Sequence, residues 1–386
     1  MKRGVNILTG FLKNYYPKRT KKVDVVLVVC TLFLALFGLL MQYSAGSYVA
    51  LRDTGDAFYF VKKQALALIV AVVATLGATK INLDKLGKYS WILLVVGMVL
   101  LALVFIPGLG VEKYGATRWI NLGFTTFQPS EIAKFAVAIF IAAQMSKKSA
   151  VTFKNMVISL LAMGAVCVLI MLEPNMSITM CVGLSCLILL FVGGAKLRHF
   201  AVLALPLVAV VVVLILIEPY RLKRLTAFLD PWASPLGEGY QLIQSYYALG
   251  NGGLFGVGLF NSRQKYLFLP FAESDFIFAI ICEELGWIGG IAIMCVYCVI
   301  VVCGIRIAVN ATNRFQTYLA VAITVIIAVQ TLLNIAVVTG AIPPTGLPLP
   351  FVSYGGSSLV VFTCATGLLL NVSRQSQESV FSHKIY

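Results

Sequence analysis

Ten long apolar runs, joined mostly by short polar connections, rule out a soluble globule for this chain. They fall at roughly 24–45, 64–79, 90–107, 128–145, 156–172, 176–194, 200–217, 275–303, 317–338 and 352–372, the second and fifth being short. Of the 386 residues, 60% are hydrophobic and 12% charged, the balance of a chain whose solvent is the bilayer. Hydrocarbon offers the main chain no hydrogen-bond partner, so each run is expected to be a helix. The expected fold class is all-α: a polytopic bundle of about ten transmembrane helices, one domain over 1–386. Outside the bundle lie an N-terminal tail (1–23), one long loop (218–274) and a C-terminal tail (373–386).

Charge asymmetry orients the bundle. Lys2, Arg3, Lys13, Lys18, Arg19, Lys21 and Lys22 crowd the first tail, and alternate connections carry Lys80, Lys85, Lys88, Lys147, Lys148, Lys154, Lys196, Arg198, Arg306 and Arg314. That side is expected to be cytoplasmic, with both termini on it and the 218–274 loop outside. The opposite short loops hold Arg52, Lys62, Lys63, Lys113 and Arg118. The net charge of +15 is thus mainly a topology signal, and nucleic acid is not an expected partner. The first apolar run is too long for a cleaved leader and reads as a retained span.

Several chemistries are disfavoured. The nine cysteines lie inside apolar segments, so no disulfide framework is expected, and Cys295 and Cys298 read as packing residues despite their CxxC spacing. No Walker loop appears. His199 and His383 both fall on the cytoplasmic side, away from any outer histidine site.

The outer connections carry the unusual residues. GATRWINLG (115–123) leads into FQPSEIAK (127–134), placing Arg118 and Trp119 near the outer interface and Glu131 and Lys134 at the start of the fourth span. Three apart on a helix, Glu131 and Lys134 fit a buried ion pair and equally a functional site. In the long loop, YRLKRLTAFLDPW (220–232) brings Arg221, Lys223 and Arg224 in an amphipathic pattern, either a headgroup anchor or a pyrophosphate clamp. Gly250, Gly252, Gly253, Gly256 and Gly258 follow, then SRQKYLFLP with Arg263 and Lys265. A loop this long is expected to hold short interfacial or re-entrant helices. Asp275 stands where the apolar run resumes, and local spacing suits a helix N-cap as well as a catalytic carboxylate. Glu283 and Glu284, within that run, need a partner or a wet cavity. Glu173–Pro174 and IPPTGLPLPFVSYGGSS (342–358) are irregular backbone of the kind that lines a cavity.

With SDFIFAIICEELG and NIAVVTGAIPPTGLPLPFVSYGGSS added, these strings stand in an order that resembles the SEDS family (shape, elongation, division and sporulation) over nearly the whole chain. The FtsW and SpoVE members are nearer than RodA. The resemblance implies a peptidoglycan glycosyltransferase that polymerises lipid II into glycan strands at the outer face of the bacterial cytoplasmic membrane, in cell division or sporulation. It further implies a class B penicillin-binding protein transpeptidase as partner, with other division or sporulation machinery. The family's essential aspartate matches Asp275, and its motif arginine and fourth-span basic residue match Arg118 and Lys134. The candidate substrate-binding set is then Arg118, Lys134, Glu131, Arg221, Arg224, Arg263, Lys265, Ser353, Gly355 and Gly356, with Glu173, Glu283 and Glu284 as acidic cavity residues. Two positions depart from the family pattern. Asn175 and Phe271 stand where acidic residues are common, and Glu273 is a displaced stand-in for the second.

That chemistry requires a base for the attacking sugar hydroxyl, a role Asp275 fits, and cations for the departing pyrophosphate. No cofactor is required, although a divalent cation, Mg or Mn, is compatible with the pyrophosphate. The competing readings are a lipid II flippase or proton-coupled transporter running through Glu131, Lys134, Glu173, Glu283 and Glu284, and a scaffold for a transpeptidase.

Overall fold

The computed structural model describes residues 24–113, 116–121, 123, 126–147, 153–195 and 226–382, with the side chains of the last helix to residue 375. Apolar runs become helices where the sequence places them: α1 (Val25–Thr54), α2 (Tyr59–Ala78), the short α3 (Leu83–Lys88), α4 (Ser90–Leu103), α5 (Pro129–Ser146), α6 (Phe153–Leu172) and α7 (Met176–Val192). Within the long loop lies α8 (Tyr240–Gly252), and after it come α9 (Ile277–Val309), α10 (Arg314–Val338) and α11 (Gly356–Ser382). Six helices among the described residues are long and apolar enough to cross a membrane, and α4 and α7 are shorter apolar helices. The expected span at 200–217, with Arg221 and Arg224 beyond it, lies outside the described residues.

Short polar side chains start several helices. Asp24, Asn82, Asn175 and Asn313 each accept from a backbone N–H of the following first turn. For Asn175 this accounts for the departure from an acidic residue, because Asn and Asp cap about equally well.

The bundle is layered around α5 and α10. Nearly every residue of α5 from Pro129 to Met145 is buried, and α4, α6, α7 and α10 pack against it. On the other side of α10, α9 leads to α1, and α11 pairs closely with α2. Outward faces such as Val29, Phe33, Leu36 and Leu40 of α1 remain exposed, as lipid-facing side chains should.

Two features lie beyond the sequence reading. Residues 110–127, expected only as an outer loop, fold into an antiparallel sheet of β1 (Gly110–Lys113), β2 (Ala116–Asn121) and β3 (Thr126–Phe127), with a bulge between Val111 and Glu112. The run that looked like one continuous span is broken at Gly286 (φ 70°, ψ −176°), so α9 is two helical pieces. The segment after α8 fills the break. Val257 and Gly258 donate to the carbonyls of Glu283 and Glu284 (both 3.0 Å), while Trp287 and Ile288 donate to those of Gly253 and Leu254 (2.9 and 3.2 Å). The long loop thus holds α8 and a following turn whose backbone groups are satisfied by the helix it interrupts.

The crossing tolerates no side chain. A Cβ at Gly252 would stand 2.0 Å from the Cys282 carbonyl oxygen, one at Gly256 2.2 Å from that of Glu284, and one at Gly286 2.3 Å from that of Leu254. Gly286→Ala, in a left-handed conformation with backbone in the way, is expected to lower stability by about 2–4 kcal/mol. Gly250→Ala, with open space around it, should be neutral or stabilise by up to about 1 kcal/mol. Thermal unfolding of the two variants in detergent checks the contrast.

Candidate active site

Asp275 lies at the start of α9, one residue before the helix cap. The cap position is Phe276, which makes no side-chain cap bond. The backbone leading to Asp275 is irregular, yet three successive carbonyls are held by different parts of the fold. Glu273 O accepts from Gln42 Nε2 of α1 (2.9 Å) and from the Tyr354 N–H (3.0 Å). Ser274 O accepts from the Ser353 hydroxyl (2.6 Å). Asp275 O accepts from Asn334 Nδ2 of α10 (2.8 Å).

The same donors grip the facing segment, 346–355. Gln42 Nε2 also reaches Val352 O (3.1 Å), Asn334 Nδ2 also reaches Leu347 O (2.6 Å), and Ser353 Oγ accepts from the Leu349 N–H (2.7 Å). Gln64 of α2 donates to Ser353 O (3.1 Å) and accepts from the Gly355 N–H (3.2 Å). Gly346 takes φ +68°, and a Cβ there would come 2.9 Å from Asp275 Oδ2. The glycine lets the turn pass directly against the carboxylate. Of the expected contributors from this segment, Ser353 and Gly355 are thus bound into the scaffold, and Gly356 opens α11 against Ala67.

Glu283 and Glu284 are fully buried and tie the loop to α9. Glu283 accepts from the Ser262 hydroxyl and from the N–H groups of Arg263 (3.2 Å) and Gln264 (3.3 Å). Glu284 Oε1 accepts from the Ser44 hydroxyl, the Ser262 N–H (3.3 Å) and Lys265 Nζ (3.2 Å). Lys265 therefore points inward, its charge met by Glu284, while Arg263 lies exposed on the long loop.

Glu131 and Lys134 do pair on α5 (3.1 Å), both side chains fully buried. Lys134 Nζ also donates to Gln330 Oε1 (2.6 Å) and sits 4.5 Å from the centre of the Phe362 ring. Ser358 donates to Glu131 (3.3 Å), and Gln330 Nε2 donates to Pro348 O (2.9 Å). The fourth-span cation thus reaches the segment facing Asp275 through Gln330.

Arg118, on β2, donates to the carbonyls of Glu173 (Nε, 3.1 Å) and Pro174, fastening the sheet to the turn between α6 and α7. The Glu173 carboxylate is buried, and neither oxygen has a hydrogen-bond partner among the described residues. Burial pushes this carboxyl up from 4.5 to about 8, against the opposing pull of Arg118. Burial also raises Glu273, whose own N–H works the other way and whose neighbour Asp53 adds to the rise.

Sequence reasoning missed Gln42, Gln64, Gln330, Asn334 and Gly346. The signal was available: four amide side chains inside apolar runs, two of them one helical turn apart at 330 and 334.

All of these residues fall within 24–378, the stretch matched by the FtsW, RodA and SpoVE family model described as cell cycle protein. The chain belongs to the FtsW/RodA/SpoVE family. The chain is 44% identical over 366 residues to stage V sporulation protein E of Bacillus subtilis, a match covering 93% of this chain and 99% of that protein. It is 39% identical over 364 residues to "Probable peptidoglycan glycosyltransferase FtsW" of Trichlorobacter lovleyi, covering 92% and 94%. A solved chain from work on the structural coordination of polymerization and crosslinking by a peptidoglycan synthase complex superposes with a TM-score of 0.76 at 26% identity, covering 92% and 98%. This FtsW/RodA/SpoVE-family chain is accordingly a multi-pass, predominantly helical membrane protein carrying one small sheet.

In this family member, folding takes up a proton on Glu173 between its ordinary 4.5 and its folded value of about 8. Wild-type stability contributed by this group therefore falls as pH rises through that window. Glu173→Gln carries no such proton, so its thermal midpoint in detergent is expected to gain on wild type from pH 5 to pH 8.5. A gap independent of pH would contradict the assignment.

Proposed function

We propose that this chain is a peptidoglycan glycosyltransferase that polymerises lipid II at the outer face of the bacterial cytoplasmic membrane, with Asp275 as general base. The observation that carries the residue assignment is the close setting of Asp275: a half-buried carboxylate on braced irregular backbone, with Gly346 against it. Relatives named as peptidoglycan glycosyltransferase, at 35–39% identity over more than nine-tenths of the chain, support the activity.

In the proposed step, the 4-hydroxyl of an incoming lipid II attacks C1 of the growing glycan. The C1–O4 bond forms as the bond from C1 to the polyprenyl pyrophosphate breaks with inversion. The hydroxyl proton passes to Asp275, and the electron pair leaves on the pyrophosphate. In this reading Arg263, exposed on the loop, and Arg118, at the sheet, meet that charge, Arg118 while its Nε and Nη2 hold the Glu173 and Pro174 carbonyls. Arg221 and Arg224 join them in the proposal from sequence alone. Lys134 acts at a distance, through Gln330 and the 346–350 backbone. Among the described residues no group of three or more His, Cys, Asp or Glu is placed to hold a metal, so a divalent cation would be carried by the pyrophosphate oxygens.

The proposal includes both termini in the cytoplasm and a class B penicillin-binding protein as the crosslinking partner. Likeness to a chain of a peptidoglycan synthase complex supports the latter. A transporter would need a path of uncommitted buried carboxylates, whereas of its candidates Glu131, Glu283 and Glu284 are held by named partners and Glu173 alone has none among the described residues.

Purified lipid II in detergent, with and without the transpeptidase, provides the test. Wild type is expected to make polymer, and Asp275→Ala and Asp275→Asn to lose on the order of 10²–10⁴-fold in rate. Full activity of a folded Asp275→Asn protein would overturn the base assignment. Lipid II movement across vesicles without polymer would overturn the enzyme itself.

A further inference from the structure

We infer that Gln42 and Asn334 are positioning residues for the reaction, acting through the backbone of Glu273–Ser274–Asp275; the inference rests on Asp275 as the base. Both side chains are buried, Gln42 wholly and Asn334 to 1% exposure. Each uses its amide NH₂ to bridge one carbonyl of the 273–275 segment to one carbonyl of the 346–353 segment. Gln42 joins Glu273 to Val352, and Asn334 joins Asp275 to Leu347. They come from different helices, one from α1 and the other from α10, and the Ser353 hydroxyl holds the intervening Ser274 carbonyl.

The pairing goes beyond what stability requires. Gln42 Oε1 and Asn334 Oδ1 are both buried without a hydrogen-bond partner among the described residues. Each amide has thus given up its acceptor to bring its donors onto two carbonyls, an unfavourable arrangement unless the placement of those carbonyls matters. A glutamate or aspartate could not substitute, since an ionised carboxylate has no N–H to donate. The acceptors are main-chain atoms, so what the amides fix is where the Asp275 Cα stands. They also fix its distance from the Gly346 turn, which a Cβ at residue 346 would bring within 2.9 Å of the carboxylate. Asn334 has a further connection: Gln330, one turn earlier on α10, holds Pro348 O and is itself held by Lys134. The buried Glu131–Lys134 pair and Asp275 therefore share one braced segment.

A small displacement of a reacting group is enough to slow chemistry strongly. The variants Gln42→Met and Asn334→Leu keep volume and remove the donors. Measured as lipid II polymerisation per folded molecule, each is expected to lower kcat on the order of ten- to a hundredfold, with KM for lipid II within about twofold of wild type. The double variant should lose less than the product of the two single losses, because both act on one segment. Should Asn334→Leu not accumulate, Asn334→Ser, smaller and without the bridging amide, decides by the same comparison. Wild-type kcat in folded variants, or a loss confined to KM, overturns the inference while leaving the base assignment intact, provided Asp275→Ala measured alongside is inactive. An active Asp275→Ala would instead remove the reading on which the inference rests.

Discussion

Backbone that leaves regular structure inside a packed bundle must have its N–H and C=O groups satisfied by other parts of the protein, and the region around Asp275 and the break in α9 is organised by that constraint. Two segments leave regular structure there. The 253–258 stretch enters the break in α9 and exchanges main-chain hydrogen bonds with both of its pieces. The 346–355 stretch runs beside 273–275 and is bridged to it by Gln42, Ser353 and Asn334. Both solutions depend on close approach, which Gly252, Gly256 and Gly286 provide at the first site and Gly346 at the second.

Charge obeys the same constraint. Two buried ion pairs, Glu131–Lys134 and Glu284–Lys265, lie on the elements that frame the site. Burying such pairs brings little net stability, yet removing one partner alone costs about 3–5 kcal/mol. Their value here is geometric. Lys265 and the N–H groups of 262–264 dock the loop onto α9, and Lys134 orients Gln330 toward Pro348. Glu173 is the exception, a buried carboxyl that no donor meets among the described residues and that burial pushes up to about 8.

The helices were legible in the sequence because lipid imposes a length and a composition on every span, and α1, α2, α5, α6, α7, α10 and α11 lie where their apolar runs predicted. The break in α9 was not, since Gly286 sits in a run long enough for one helix and the residues that fill the break lie some thirty positions earlier. The sheet at 110–127 was hidden by its short strands and by a burial pattern that does not alternate along β2. Within the site, Asp275, Arg118 and the buried acids could be singled out as charges that need a reason to be there. Which partner each would find could not be read, and Lys265, expected to face an anionic substrate, turns inward to Glu284. The amides Gln42, Gln64, Gln330 and Asn334 were visible as polar residues in apolar runs, but their importance comes from carbonyls far away in sequence.

If 273–275 and 346–355 form one braced platform, their main-chain N–H groups should be protected although neither segment is regular. Hydrogen exchange of the protein in detergent, followed by mass spectrometry over peptides spanning 271–276 and 349–355, measures this directly. The account predicts protection comparable to that of the second turns of α9 and α11, including Tyr354, whose N–H donates to Glu273 O. Exchange as fast as that of an exposed loop would contradict it.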